Sequence, residues 1–204
     1  MKRKNIVYTL VAIVALIIIS YSMGIWDTGN YEQQILKARA ETDQFMRRSS
    51  ESPLTDPQKR TFRGLEYFPP NQDYIVNAKL VPFQRKTTMT IPTSDNKEVT
   101  YIKYAMAEFT IDGTPQSLLL LQSEEENDPK ALFLAFTDQT SGNETYGGGR
   151  YIDLRLNNDR RVIIDFNKAY SPFCMFNENY SCPFPPQENH LDVAILAGEK
   201  VYKE

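Results

Sequence analysis

The stretch Val99-Thr-Tyr-Ile-Lys-Tyr-Ala-Met-Ala-Glu-Phe-Thr-Ile111-Asp112-Gly113-Thr-Pro-Gln-Ser117-Leu-Leu-Leu-Leu-Gln122 decides the fold. Its first half is rich in β-branched and aromatic residues, which suit a pleated surface. Asp112-Gly113 then favours a tight hairpin, because both central residues tolerate positive φ. Ser117 to Gln122 reads as the returning strand. Toward the N-terminus, Thr87, Met89 and Ile91 recur at a period of two. So do Tyr74, Val76, Ala78 and Leu80, set against Asn77 and Lys79. Toward the C-terminus, Leu132 to Phe136 reads as a buried strand. Ile152, Leu154 and Leu156 are placed to pair with Val162, Ile164 and Phe166 across the turn Asn157-Asn158-Asp159, and Leu191, Val193 and Ile195 form a last strand ended by Gly198. About eight short strands with no helices between them predict a mainly β domain, an antiparallel sandwich or barrel.

Upstream the pattern changes. Lys2, Arg3 and Lys4 precede 22 uncharged residues from Asn5 to Trp26. At about 1.5 Å per residue this run spans a hydrocarbon core of about 30 Å. Residues 1–26 are therefore read as a signal-anchor or transmembrane helix. The basic end stays in the cytoplasm, and everything from residue 27 onward lies on the extracytoplasmic side, periplasmic or extracellular. Secretion after signal cleavage is the alternative, since Ser20-Tyr21-Ser22 has the small-x-small form that a signal peptidase accepts. Residues 27–57 read as a stalk helix and linker. Asn30 is placed to cap the helix with Gln33 in a capping box, and Tyr31, Ile35, Ala38, Thr42 and Phe45 form a narrow apolar face. Asp56-Pro57 opens a short helical turn through Lys59 and Phe62 that stops at Gly64. Residues 58–204 make up the β domain.

Charge excludes one class of partner. All 26 acidic residues lie beyond Trp26, together with 20 of the 23 Lys and Arg, so the outer portion carries −6. A body of that sign offers no electrostatic footprint for nucleic acid. Composition is that of a folded protein, with 41% hydrophobic and 12% aromatic residues, enough to offset the ordering entropy.

Three segments break the β pattern, and chemistry is expected there. In the first, residues 137–150, Gly147, Gly148 and Gly149 allow an amide nest for an anion, and Arg150 supplies a fork for a carboxylate or phosphate. A wide β connection explains the same glycines. The second segment, 165–190, is a long Pro- and aromatic-rich loop. Cys174 and Cys182 are placed to pin it as a disulfide, or to act as a thiol-redox pair. The third is Ala197-Gly198-Glu199-Lys200, whose charges read as solvated. Asp138 and Asp165 are candidate general bases for a hydrolase. Two Cys and one His fall short of the ligand set of a zinc site, so no metal is expected, and no nucleotide or cofactor motif is present.

Taken together, blocks in fixed order resemble a known family. They are Ser52-Pro53-Leu54-Thr55 with Phe62-Arg63-Gly64-Leu65-Glu66-Tyr67-Phe68-Pro69, then Asp138 through Tyr151, then Asp165 through Tyr170 with Cys174, Cys182-Pro183, Pro185-Pro186, Glu188-Asn189 and Ala197 through Lys200. From roughly Tyr31 to Lys200 the chain is similar to the bacterial domain of unknown function 1684. That resemblance implies an often exported protein without an established activity. It marks Thr145, Tyr146, the glycines, Arg150, Asp165, Asn167, Tyr170, Cys174, Cys182, Asn189 and Lys200 as family positions. At His190 the chain departs from the family, which carries another residue there such as Arg. The reading that follows is an envelope binding or structural module for a small molecule or other envelope ligand. Arg150 and the glycine amides would hold an anionic group, while Tyr146, Asn167 and Tyr170 orient it, with Asp165 a further ligand-binding candidate.

Overall fold

The computed structural model of the chain describes residues 25–124, 127–156 and 160–203. Two compact units divide it, Met1–Ala40 and Glu41–Glu204. Helix α1, Ile25–Arg48, begins before Asn30. Asn30 is thus an interior residue and not the predicted cap. Its Oδ1 accepts a hydrogen bond from Gln34 Nε2 at 3.1 Å, one helical turn on. The membrane span read over residues 5–26 falls outside the described residues up to position 24. Among the described residues no helix is long and apolar enough to cross a membrane.

Helix α2, Asp56–Thr61, starts one residue earlier than Asp56 as cap would require. Thr55 is the N-cap, and Gln58 Oε1 accepts both its amide and its hydroxyl at 2.9 Å. Phe62 from the end of this helix packs with Met46, Leu54 and Phe176 in a small apolar cluster. Gly64 follows at φ 123°, where an added Cβ would lie 3.0 Å from the Asp43 carboxylate.

Among the described residues six strands, not eight, form one antiparallel sheet: β1 Ile75–Pro92, β2 Glu98–Ile111, β3 Thr114–Ser123, β4 Ala131–Phe136, β5 Arg150–Arg155 and β6 Arg161–Asp165. Their order is β5-β4-β3-β2-β1-β6. The central hairpin forms as read, with Asp112 at φ 49° and Gly113 at φ 76°. Two predicted strands, 74–80 and 87–91, merge into β1. Pro82 is tolerated mid-strand because β6 pairs with β1 only as far as Lys79, so the missing N–H faces no ladder. A register shift between Pro82 and Thr87 absorbs the break in alternation. The predicted pairing of 152–156 with 162–166 is corrected. β5 pairs with β4 and β6 with β1, so these consecutive strands form the sheet's two edges, and Phe166 begins a 3-10 turn. The turn 157–159 lies outside the described residues.

Alternation sends Ala78, Leu80, Ala105, Ala107, Leu118, Leu120, Leu134, Ile152 and Ile164 into the main core. The opposite face is also covered. Leu119 and Leu121 are fully buried with Ile91, and the 170–190 loop packs over Ala135 and Tyr151. Coverage on both faces explains why Leu118–Leu121 is an unbroken apolar run and does not alternate. The predicted last strand, Leu191–Ile195, forms no ladder. Leu191, Ile195 and Ala197 are buried in the main core, but their segment is held by scattered bonds such as Leu191 N–H to Thr137 O at 2.9 Å.

Candidate functional site

Asn189 solves a local problem of the sheet. β3 and β4 share the register pair Leu121–Phe133, and beyond it the Asn189 side chain sits between the strands. Its Oδ1 accepts the Leu119 amide at 2.6 Å, and its Nδ2 donates to Leu119 O at 2.9 Å and Ala135 O at 2.8 Å. One buried amide side chain thus does the work of a ladder rung.

Arg150 starts β5 and is fully buried. Its Nη2 donates to Asp138 Oδ2 at 2.8 Å and to Ile195 O at 3.0 Å, and its Nη1 donates to Ala197 O and, at 3.4 Å, to Glu199 O. The ring of Phe136 lies 5.3 Å from the guanidinium carbon. Burial pulls the Arg150 pKa below the ordinary arginine value, while the Asp138 carboxylate pulls it back up. The arginine thus organises the 195–199 segment from inside and presents no fork to solvent.

Asp138 is equally committed. Its Oδ1 accepts the Thr140 amide at 2.7 Å and the Thr140 hydroxyl at 2.6 Å. Both its side chain and that of Arg150 have no exposed surface, which gives a general base at Asp138 no access to a substrate. Glu199, expected to be solvated, is buried as well. Its carboxyl is pushed up to about 8 by burial, against the Ser171 hydrogen bonds and the Arg150 charge.

The glycines shape the connection. Gly149 has φ 88°, and a Cβ there would lie 2.5 Å from Pro185 and 2.6 Å from Phe136 O. Its amide donates to Tyr146 O at 3.0 Å. A Cβ on Gly148 would meet the Tyr146 ring at 2.4 Å, and one on Gly147 would sit at an ordinary 3.5 Å from Gly142. Asp165 and Asn167 form a separate group. Asp165 Oδ1 accepts from the Asn167 amide and side chain, both at 3.1 Å. Asn167 also clasps the Asn71 backbone with bonds of 2.8 and 2.7 Å, and Lys168 lies 3.6 Å from Asp165. Tyr170 donates its hydroxyl to Asp153 at 3.0 Å.

Tyr146, by contrast, reaches across to the Cys-Pro loop, where its hydroxyl meets Cys174. Cys174 and Cys182 are free thiols in this structure and not a cross-link. Cys174 sits in the 3-10 turn Phe173–Met175 and is partly exposed, while Cys182 is buried. The Cys174 amide donates to Cys182 Sγ at 3.1 Å. The Cys182 thiol hydrogen bond, helped by Ser94 and Tyr146, brings Cys174 down to about 7 against the effect of burial. The same bond, with burial, pushes Cys182 well above the usual thiol range.

The loop is pinned without a covalent link. Ser94 N–H donates to Cys182 O at 2.9 Å and Cys182 N–H to Ser94 Oγ at 3.1 Å. Asp95 accepts hydroxyls from Thr93 and Ser181, each at 2.6 Å. Sequence reasoning missed Ser94 and Asp95, whose turn lies more than eighty positions away. Asn189 was marked only through family resemblance. His190 is exposed and bonds Thr137 Oγ1 at 2.9 Å. Among the described residues no group of three His, Cys, Asp or Glu could hold a metal ion.

Fold and site define a class: a six-stranded antiparallel β domain closed over a buried arginine, with two adjacent thiols on the loop that covers its second face. Residues 60–200 match the family described as "Protein of unknown function (DUF1684)", and the chain belongs to that family. It is also similar to the uncharacterized protein from gene locus rrnAC0354 of Haloarcula marismortui, known from a solution NMR structure. The two are 36% identical with a TM-score of 0.64, over 85% of this chain and 96% of that one. No curated protein matches the chain.

Proposed function

We propose that this chain is a membrane-tethered domain on the extracytoplasmic side that exchanges thiols and disulfides through Cys174 and Cys182. The observation that carries the reading is the 3.1 Å bond from the Cys174 amide to Cys182 Sγ, which holds one partly exposed thiol against one buried thiol. Such a pair divides the labour. The Cys174 thiolate, accessible and favoured near neutral pH, attacks one sulfur of a partner disulfide. A Cys174–partner disulfide forms and the partner's other sulfur leaves as a thiolate. Cys182, losing its proton to solvent, then attacks Cys174 Sγ. The intramolecular disulfide closes and the partner's second thiolate is released. Two electrons pass from the dithiol to the partner. Tethering by residues 5–26 places this chemistry where disulfides persist.

The earlier expectation of a pocket for an anionic group at Arg150 gives way, because that guanidinium is spent inside the protein. The test uses the full chain in detergent micelles with an excess of an oxidised disulfide peptide. Cys182→Ala should accumulate a mixed disulfide through Cys174, and Cys174→Ala should not. If neither variant is captured, or both are captured equally, the proposal fails.

A further inference from the structure

The second face of the sheet carries another constellation on β2, β4 and β5, beside the ground that the Cys-Pro loop covers. Alternation along the strands brings Tyr101, Phe133 and Asp153 to one surface, with Phe133 directly opposite Asp153 in the β4–β5 register. The rings of Tyr101 and Phe133 stack at 5.5 Å with an interplanar angle of 16°. They are half-buried, whereas Asp153 is exposed. Together with Ser123 these side chains line a pocket of about 300 Å³. Tyr170 donates its hydroxyl to Asp153 Oδ2 at 3.0 Å.

The charge balance of this pocket is lopsided. Among the described residues no cation is paired with Asp153. The nearest base along the strand, Arg155, is engaged by Asp128. Lys103, on β2, lies over the Phe83 ring at 5.3 Å and 3.7 Å from Glu188. The carboxylate therefore keeps acceptor capacity beside two aromatic rings. Aromatic faces carry negative electrostatic potential and attract cations, most strongly where water is partly excluded. A carboxylate at the rim adds to that attraction, and the volume suits a small ligand.

We infer that this pocket binds a small organic cation of the alkylammonium class, with its charged head between the Tyr101 and Phe133 rings and Asp153. A quaternary head would use the rings and the charge alone. A primary ammonium would also donate to Asp153 and Ser123. The pocket uses neither thiol, so it does not rest on the proposed exchange, although Phe133 and Tyr170 also pack in the cluster that holds Cys174 and Cys182.

The experiment titrates the full chain, in maltoside micelles, with tetramethylammonium, n-butylammonium and the neutral neopentyl alcohol, following backbone and aromatic NMR shifts. Saturable binding on the order of millimolar is expected for at least one cation, with shifts centred on Tyr101, Phe133 and Asp153. The tighter of the two cations identifies the head group. Asp153→Asn should weaken binding about tenfold, the equivalent of losing one favourable charge contact, and Phe133→Leu should weaken it several-fold with the fold intact. Equal binding of the neutral alcohol, an unchanged affinity in Asp153→Asn, or shifts that never saturate would each overturn the inference.

Discussion

Replacing Arg150 by methionine tests how the domain is held together. The substitution keeps an unbranched chain over Phe136 but removes the partner of Asp138, whose side chain has no exposed surface. It also strips donors from the carbonyls of Ile195, Ala197 and Glu199. Removing one member of a buried ion pair costs about 3–5 kcal/mol, because the other charge stays buried and uncompensated. With a urea dependence on the order of 2 kcal/mol per molar for a domain of this size, the unfolding midpoint should fall by about 2 M. Equilibrium urea unfolding followed by circular dichroism reads this directly. The double variant Asp138→Leu/Arg150→Met removes both charges and should be clearly more stable than Arg150→Met alone. A midpoint that stays put in Arg150→Met would refute the argument and return the guanidinium to solvent, where it could serve a ligand.

Glu199 gives a second expectation, with the sign fixed by its raised pKa. Burial pushes its carboxyl up to about 8 in the fold from an ordinary value near 4.5, so between those values the unfolded chain has lost a proton that the folded chain still holds. Stability from this group is therefore full below about pH 4.5 and is lost as pH rises toward 8. Arg150, Ser171 and Asp43 are the groups that face it. Urea midpoints from pH 5 to 8 should decline less steeply in Glu199→Gln than in the parent, and parallel slopes would contradict the assignment. Asn189→Ala leaves the Leu119 amide and the Leu119 and Ala135 carbonyls without their partner. It should cost about 2–4 kcal/mol, read as a fall in melting temperature, whereas a loss below about 0.5 kcal/mol would show that β3 and β4 close without it. For the location, protease added to intact spheroplasts should digest the β domain, and full protection until lysis would place the domain in the cytoplasm.

Much of the fold was legible because it is local. Asp112-Gly113 announces its own turn, and Val76, Ala78 and Leu80 show their shared face by alternation. What escaped was set by distant partners. Nothing near Pro82 says that its strand continues, since that depends on where β6 stops pairing. Leu191 to Ile195 alternates like a strand, yet its polar groups are satisfied by Thr137, Gln139 and Asp138 and not by a neighbouring strand. Arg150 read as a ligand fork because three glycines precede it, but its acceptors are Asp138, twelve residues back, and backbone carbonyls more than forty residues further on. The thiols could be read as neighbours from their spacing. Their shelter by Ser94, Asp95 and Tyr146 could not, because sequence carries no sign of which turn a loop will lie against.

The most direct measurement for the proposed exchange is the pH dependence of alkylation of the full chain by iodoacetamide, resolved by residue with mass spectrometry. One thiol, Cys174, should react quickly with a midpoint near 7, while Cys182 remains slow in the parent at every pH that preserves the fold. Equal reactivity of both cysteines, with the midpoint of an unperturbed thiol at about 8.5, would contradict the account.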